Sequence, residues 1–236
     1  MYEKGRVLLI IPAFNEEENI SNVILGLNNY PEYDYIIVND GSTDNTEKIC
    51  EENRYNVINL PINLGIGGAV QTGYCYAKKM GYSIAVQFDG DGQHDILDVE
   101  KVIKPIRENK ADVSIGSRFL EYEGFQSSLI RRIGIRLLGK LIYFCTGKSV
   151  RDVTSGFRAV NRKFIEIYAN DYSTDYPEPE AIVTALMYKG RIIEVPVIMK
   201  ERKKGESSIS LGKSVYYMIK VSLAILVKRI SYVTRK

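Results

Sequence analysis

Residues 83–95 read Ser83-Ile84-Ala85-Val86-Gln87-Phe88-Asp89-Gly90-Asp91-Gly92-Gln93-His94-Asp95. The first six form a short apolar run of strand length. The strand ends at Phe88. Two carboxylates follow one residue apart, and glycines at 90 and 92 let the chain turn tightly enough for both to converge on one point. From Ile96 to Asn109 the apolar residues return at helical spacing. An Asp-Gly turn between a strand and a helix accounts for this stretch when it is read alone. Two further polar segments at the ends of other strands change that reading.

Upstream, the same strand–loop–helix unit repeats. Val7–Pro12 is an apolar run, and Glu16–Asn29 carries Ile20, Val23, Ile24 and Leu27 at helical spacing. Tyr35–Asn39 and Val57–Leu60 read as strands, Thr43–Asn53 and the small-residue-rich Ile66–Met80 as helices. Asp112–Gly116 is a fifth strand. Such alternation predicts an α/β fold with a mainly parallel sheet flanked by helices. Ligands in such sheets bind beyond the carboxyl ends of the strands, where the polar segments fall. After residue 119 the alternation stops. Ser128–Thr146 reads as a basic amphipathic helix, Gly156–Asn161 as a strand, Pro179–Tyr188 as a helix and Ile192–Val197 as a strand. Glu201–Ser210 is a polar, basic loop, and Leu211–Val233 is a long helix. The chain therefore divides into 1–118, 119–200 and 201–236.

With 236 residues, 45% hydrophobic and 26% charged, the chain can bury a substantial core. Its net charge of +3 conceals an asymmetry. Residues 1–100 hold 6 Lys/Arg against 16 Asp/Glu, whereas 101–236 hold 26 against 13. The acidic half suits a cation, the basic half an anion or an anionic surface; a merely solvated basic face reads equally well from charge alone. Cys50, Cys75 and Cys145 are far apart and there is one His, which argues against a structural zinc site and a disulfide framework and for a reducing cytoplasm. No secretory signal is read at Met1–Gly5.

The second polar segment is Pro12-Ala13-Phe14-Asn15-Glu16-Glu17-Glu18-Asn19, with Asn15 expected to cap the following helix. The third is Val38-Asn39-Asp40-Gly41-Ser42-Thr43-Asp44-Asn45-Thr46, with Ser42 or Thr43 as the expected cap. Hard oxygen donors such as Asp89 and Asp91 suit Mg2+ or Mn2+ with positions left for phosphate oxygens. Gly65-Ile66-Gly67-Gly68 does not complete a dinucleotide fingerprint, and Gly147-Lys148-Ser149 lacks the first glycine of a P-loop, since Ile142 stands there. His94 is expected to order the acidic loop rather than to act as a ligand.

These segments together resemble the inverting GT-A glycosyltransferases of family 2, in the branch of dolichol-phosphate mannose synthases and bacterial polyprenyl-phosphate glycosyltransferases. The resemblance continues through Asn63-Leu64-Gly65-Ile66-Gly67-Gly68-Ala69, Gly116-Ser117-Arg118, Thr154-Ser155-Gly156-Phe157-Arg158 and Arg202 to Ser208. It implies a GT-A fold, with 1–118 binding nucleotide-sugar and metal, 119–200 binding the acceptor, and 201–236 forming a basic loop and an amphipathic helix. It further implies that Pro12, Phe14, Glu16 and Asp40, with Asn63, surround the base and ribose. Asp89 and Asp91, with Gln93, would hold Mg2+ or Mn2+ against the donor diphosphate. Arg202 would clamp that diphosphate, Arg118 with Arg131 or Arg132 would hold an acceptor phosphate, and Ser155 to Arg158 would shape the sugar and acceptor site. Glu178 and Glu180 are either a helix start, sugar contacts, or the base of a hydroxyl-directed enzyme.

No segment offers the roughly 20 apolar residues of a spanning helix. In the last helix Lys213, Tyr217, Lys220, Ala224, Lys228, Ser231 and Arg235 fall on one stripe, opposite Val215, Met218, Ile219, Leu223, Leu226 and Ile230. Arg132, Arg136 and Lys140 likewise oppose Ile133, Leu137, Leu141 and Phe144. Cationic amphipathic helices of this kind lie in a bilayer interface, although packing on the chain's own core is the ordinary alternative. The resulting expectation is transfer of a monosaccharide from a nucleotide-sugar, UDP-linked in preference, to a polyprenyl phosphate, by a peripheral protein at the inner face of the cell membrane. A small membrane-embedded partner or a homo-oligomer is an expected companion, and nucleic acid is not. The alternatives are a soluble transferase acting on a sugar hydroxyl, and an inactive nucleotide- or glycan-binding module.

Overall fold

A computed structural model describes residues 5–121, 129–200 and 211–234. The strands are β1 (Val7–Ala13), β2 (Tyr33–Asn39), β3 (Val57–Asn59), β4 (Ile84–Gln87), β5 (Val113–Ser117), β6 (Arg158–Asn161) and β7 (Ile192–Pro196). The helices are α1 (Ile20–Leu27), α2 (Thr46–Glu52), α3 (Gly65–Met80), α4 (Leu97–Arg107), α5 (Leu129–Thr146), α6 (Arg162–Asn170), α7 (Pro177–Met187) and α8 (Leu211–Thr234). The strands form one sheet in the order β3-β2-β1-β4-β6-β5-β7.

β1 is buried along its whole length. Leu8 and Ile10 enter one core, with Tyr74, Tyr168, Ile182 and Ile225, while Val7, Leu9 and Ile11 enter the other, with Ile20, Ile24, Val102 and Phe157. The side-chain period of two thus sends alternate residues to helices on both faces, and a strand buried on both faces must be apolar throughout.

All pairings are parallel except those of β6, which runs antiparallel to both β4 and β5. This exception positions the site. Because β6 is reversed, its first residue, Arg158, pairs with the last residue of β4, Gln87. The segment 154–157 preceding β6 therefore emerges beside the acidic loop following β4. The expected α/β, GT-A-type sheet is present, and β6 and β7 extend the same sheet as β1–β5 across residue 118.

Three local expectations are corrected. α1 begins at Ile20, not Glu16, because Asn15 adopts φ +55° and 16–19 form a turn bonded to the β2–α2 loop. Asn15 is thus no helix cap, nor does Ser42 or Thr43 cap α2, whose cap position is Asn45. α6 is a helix that the sequence reading passed over. Its signal is Asn161, whose side chain accepts from Phe164 N at 3.1 Å, followed by Phe164, Ile165, Tyr168 and Ala169 on one buried face.

The two cationic helices each carry a further apolar face beside the expected stripe. α5 buries Ile135, Leu138, Ile142 and Cys145, while Ile133, Leu137 and Phe144 are exposed. α8 buries Val221 and Ile225, while Ile219, Leu223, Leu226, Val227 and Ile230 are exposed. Lys228, assigned to the polar stripe, turns inward to Asp171 at 3.3 Å. Each helix thus has one apolar face in the core and a second one outside it. The side chains of Lys213, Val215, Tyr217 and Ser231, and Arg235, lie outside the described residues.

Candidate active site

The loops after β1 and β2 are knitted together by reciprocal hydrogen bonds. Asn15 N donates to Ser42 Oγ (3.0 Å) and Glu16 N to Thr46 Oγ1 (2.9 Å), while Thr43 N donates to Asn15 Oδ1 (2.8 Å). The β2 loop is tied in turn to the start of α3, where Leu64 N donates to Asp40 Oδ1 at 2.7 Å. Gly41 has φ +65°, and a methyl there would stand 2.8 Å from Asn63 N, so only glycine fits this crossing. Burial raises the Asp40 carboxyl above its ordinary range, and the N–H groups of Leu64 and Gly65 partly offset this. The result is a wall with Pro12 and Glu16 buried, Phe14 and Asn63 exposed, and Asp40 fixed between them.

β1 and β4 are neighbours from which the chain runs on toward opposite edges of the sheet, so their carboxyl ends flank the crevice. Gly90 follows the β1 end closely: a methyl on it would lie 3.0 Å from Pro12 O. In the acidic loop Asp89 Oδ1 accepts from Gln87 Nε2 (3.3 Å), and Oδ2 lies 3.0 Å from His94 Nε2. Asp91 Oδ1 accepts from Gln93 N at 3.0 Å. Burial disfavours the charge on Asp89, but the hydrogen bond and charge of His94, with Gln87 and Arg158, outweigh it and hold the carboxyl below its ordinary range.

Among the described residues no group of three or more His, Cys, Asp or Glu is placed to hold a metal ion. Two hard carboxylates suit a small divalent cation that shares its coordination with phosphate oxygens. Room for it is kept by Gly156, where a methyl would come within 3.1 and 3.3 Å of the two Asp89 oxygens. The residues present therefore fit Mg2+ or Mn2+. Gln93, expected as a ligand, donates its side-chain amide to Lys200 O (3.1 Å), and its carbonyl accepts from Lys200 N (2.9 Å). With Lys200 Nζ 2.8 Å from Asp95 Oδ2, the segment after β7 is latched onto the acidic loop.

Arg118 and Arg158 are both buried. Arg118 forms a fork with buried Asp152, Nε to Oδ2 and Nη2 to Oδ1, each 2.7 Å, and also donates to Thr154 Oγ1 at 2.9 Å. The expected acceptor-phosphate residue is thus largely committed to a carboxylate that the sequence reading did not single out. Arg158 donates to the carbonyls of Ser155 and Glu178, and its Nε has no hydrogen-bond partner among the described residues. Ser155 Oγ donates to Gly116 O at 2.6 Å. Glu178 and Glu180 part company. Glu178 shares the electrostatic environment of Arg158, Asp89 and Arg118, and its carboxyl is raised by burial, with Arg158 opposing. Glu180 accepts from Ser173 Oγ at 2.7 Å and lies 3.9 Å from Lys228, on the α8 side. Gln87 and Tyr172, hydrogen-bonded to each other at 3.4 Å, are site residues the reading missed; a buried Gln at a strand end was the available signal.

Beside Phe119, a groove of about 440 Å³ is lined by Arg132, Arg136, Lys140 and Arg151 over Ile135 and Tyr143, and none of its described lining residues is acidic. Arg132 Nε is buried without a hydrogen-bond partner among the described residues. The side chain of Arg131, and Arg202, lie outside the described residues.

A mainly parallel sheet with a knitted polar wall and a two-carboxylate loop at its switch point is the GT-A arrangement of glycosyltransferases. Residues 8–168 match the Glycosyl transferase family 2 domain, and the chain belongs to that family. It is 33% identical to the UDP-N-acetylglucosamine–dolichyl-phosphate N-acetylglucosaminyltransferase of Methanococcus voltae, over 90% of this chain and 94% of that one. It is 30% identical to the undecaprenyl-phosphate mannosyltransferase of Micrococcus luteus, over 88% of each. Its fold matches the glucosyl-3-phosphoglycerate synthase of Mycobacterium tuberculosis, crystallised with Mn2+, UDP-glucose and phosphoglyceric acid. The TM-score is 0.74 at 18% identity, covering 95% of this chain and 79% of that one.

Proposed function

We propose that this glycosyltransferase moves a monosaccharide from a nucleotide-sugar, UDP-linked in preference, to a polyprenyl phosphate at a membrane surface, with inversion at the anomeric carbon. The observation that carries the acceptor class is the α5 groove, where four cations meet an apolar floor. A lipid phosphate is ionised near neutral pH and needs positioning by positive charge, whereas a sugar hydroxyl needs a base to take its proton.

In this reading a phosphate oxygen forms the new bond to the anomeric carbon, the bond from that carbon to the donor diphosphate breaks, and its electron pair leaves with the nucleoside diphosphate. No proton has to be removed from the acceptor. Asp89 and Asp91 would hold a divalent cation, which would supply neutralisation of the charge growing on the leaving group. Pro12, Phe14, Glu16, Asp40 and Asn63 hold the nucleoside. Arg132, with Arg131, Arg136 and Arg151, holds the acceptor phosphate, while the Arg118–Asp152 fork supports the wall beside Phe119. Ser155 and Arg158 fix the floor of the sugar pocket. Arg202, two residues beyond the latched Lys200, is assigned to the donor diphosphate.

The membrane contact rests on the second apolar faces of α5 and α8. Among the described residues no helix is long and apolar enough to cross a membrane, and a helix with cations beside an outward apolar face lies in the interface plane. The inner face of the cell membrane is the side we assign.

A second reading, transfer to a sugar hydroxyl, is favoured by one observation: Glu178 lies in the field of Asp89 and Arg118 with its carboxyl raised. Nucleoside diphosphate release from UDP-sugars with Mn2+ separates the two. Release that requires a short polyprenyl phosphate is expected; release with an oligosaccharide but not with the lipid would replace the first reading by the second.

A further inference from the structure

Asp89 is approached from two sides by buried partners. Gln87 is 1% exposed, lies in β4 opposite Arg158, and accepts from the Tyr172 hydroxyl through Oε1, which leaves its amide nitrogen aimed at Asp89 Oδ1. The His94 side chain is 3% exposed and stacks on Phe157 with ring centroids 4.6 Å apart and planes 25° apart. An ionised carboxylate only accepts, so the hydrogen between His94 and Asp89 sits on Nε2. Gly156 stands at the same two oxygens and presents no side chain. Phe157, its neighbour in sequence, is itself fully buried in the core behind the loop.

We infer that His94 and Gln87 are positioning residues that hold the Asp89 carboxylate in one orientation, one hydrogen bond to each oxygen, before the cation and diphosphate arrive. The inference rests on the assignment of the cation to Asp89 and Asp91. Each oxygen keeps a lone pair for the cation, because a single hydrogen bond engages only one of its two. A carboxylate on a glycine-flanked turn would otherwise lose rotamer freedom on binding, and a loss made in advance by the fold is not charged to ligand affinity. Partners of this kind typically change metal affinity by about 10–100-fold when removed. His94 is hence the anchor of the loop: its ring is fixed by Phe157 and its nitrogen fixes the ligand.

The test is Mn2+ binding by the full chain in the presence of UDP, read from the electron paramagnetic resonance of the free ion. His94→Phe keeps an aromatic ring for the stack on Phe157 and removes the Nε2 hydrogen. It is expected to weaken Mn2+ binding about tenfold or more, with metal-free UDP binding and the melting temperature close to those of the wild type. His94→Gln restores a donor and should recover most of the affinity, and Gln87→Met should weaken binding from the other side. Wild-type Mn2+ affinity in both His94→Phe and Gln87→Met, alongside its loss in Asp89→Asn, overturns the inference and leaves the cation assignment standing. Absence of Mn2+ binding by the wild type overturns both. Should His94→Phe fail to fold, Gln87→Met decides by the same measurement.

Discussion

At the scale of single residues, the site separates groups that look equivalent in the chain. Asp89 and Asp91 flank one glycine, and Glu178 and Glu180 flank one proline. The first pair shares one loop after β4, whereas the second is divided between the crevice and the α8 contact. Substitution therefore reads the chemistry directly. Asp91→Asn removes a cation ligand and is expected to lower nucleoside diphosphate release by at least about 10²-fold, the scale of losing one electrostatic contact to the developing charge. Glu178→Gln discriminates the acceptors: a general base lost costs about 10²–10⁴-fold, whereas a phosphate acceptor needs none and most of the rate should remain. A rate with the polyprenyl phosphate that collapses in Glu178→Gln would sink the lipid-phosphate reading. The acidic pair was legible as a candidate because two further polar segments stand at the ends of other strands; read alone it is an Asp-Gly turn. Asp152 was not, because a carboxylate buried to neutralise an arginine 34 residues away leaves no mark on local pattern. Asn15 misled for a related reason: its αL backbone turns its side chain to another loop, and a cap motif is read from local order alone.

At the scale of elements, the strands were legible as short apolar runs, most plainly in β1 and β4, which are buried along their whole length. Helix faces were not. Both α5 and α8 carry two apolar stripes, and a sequence does not say which one enters the core; the stripe of Ile133, Leu137 and Phe144 is the one left outside. The small residues of α3 have a sharper explanation. A methyl on Gly67 would meet Ser173 O at 2.2 Å and Thr174 Cα at 2.6 Å, both backbone, so α3 approaches the segment after α6 as closely as a chain can. That segment carries Ser173, which fixes Glu180, and leads through Tyr172 to Gln87. Gly67→Ala gains up to about 1 kcal/mol of helix propensity. Overpacking costs about 1–3 kcal/mol, and against rigid backbone it wins, so net destabilisation is expected. Gly26 is the control: exposed in α1 with nothing within 4 Å of an added methyl, it should stabilise on substitution by Ala. Chemical denaturation of the two variants measures both signs; equal signs would show that the α3 approach is looser than described.

At the scale of the whole molecule, the charge asymmetry and the second apolar faces act together. The acidic part, residues 1–100, builds the polar wall and the two-carboxylate loop, and the basic part contributes α5, its groove and α8. Contact with an anionic bilayer would attract the basic surface around the α5 groove and repel the acidic surface of residues 1–100. Each cation near such a surface contributes about 1 kcal/mol, and burying an exposed Leu or Val side chain adds about 1.5–3 kcal/mol. Both terms contribute, and they respond differently to salt. The Debye length shrinks from about 10 Å at 0.1 M to about 3 Å at 1 M, which removes the first term and spares the second. Sedimentation with vesicles should therefore show binding to anionic phosphatidylglycerol vesicles at low salt and a weaker residue at 1 M. Leu223→Glu combined with Val227→Glu should abolish binding at both, because each side chain is more than half exposed and its replacement changes the docking face without touching the core. The denaturation midpoint of that variant should match the wild type. Vesicle binding indifferent to lipid charge and to this double substitution would mean that the outward faces of α5 and α8 meet something other than a bilayer.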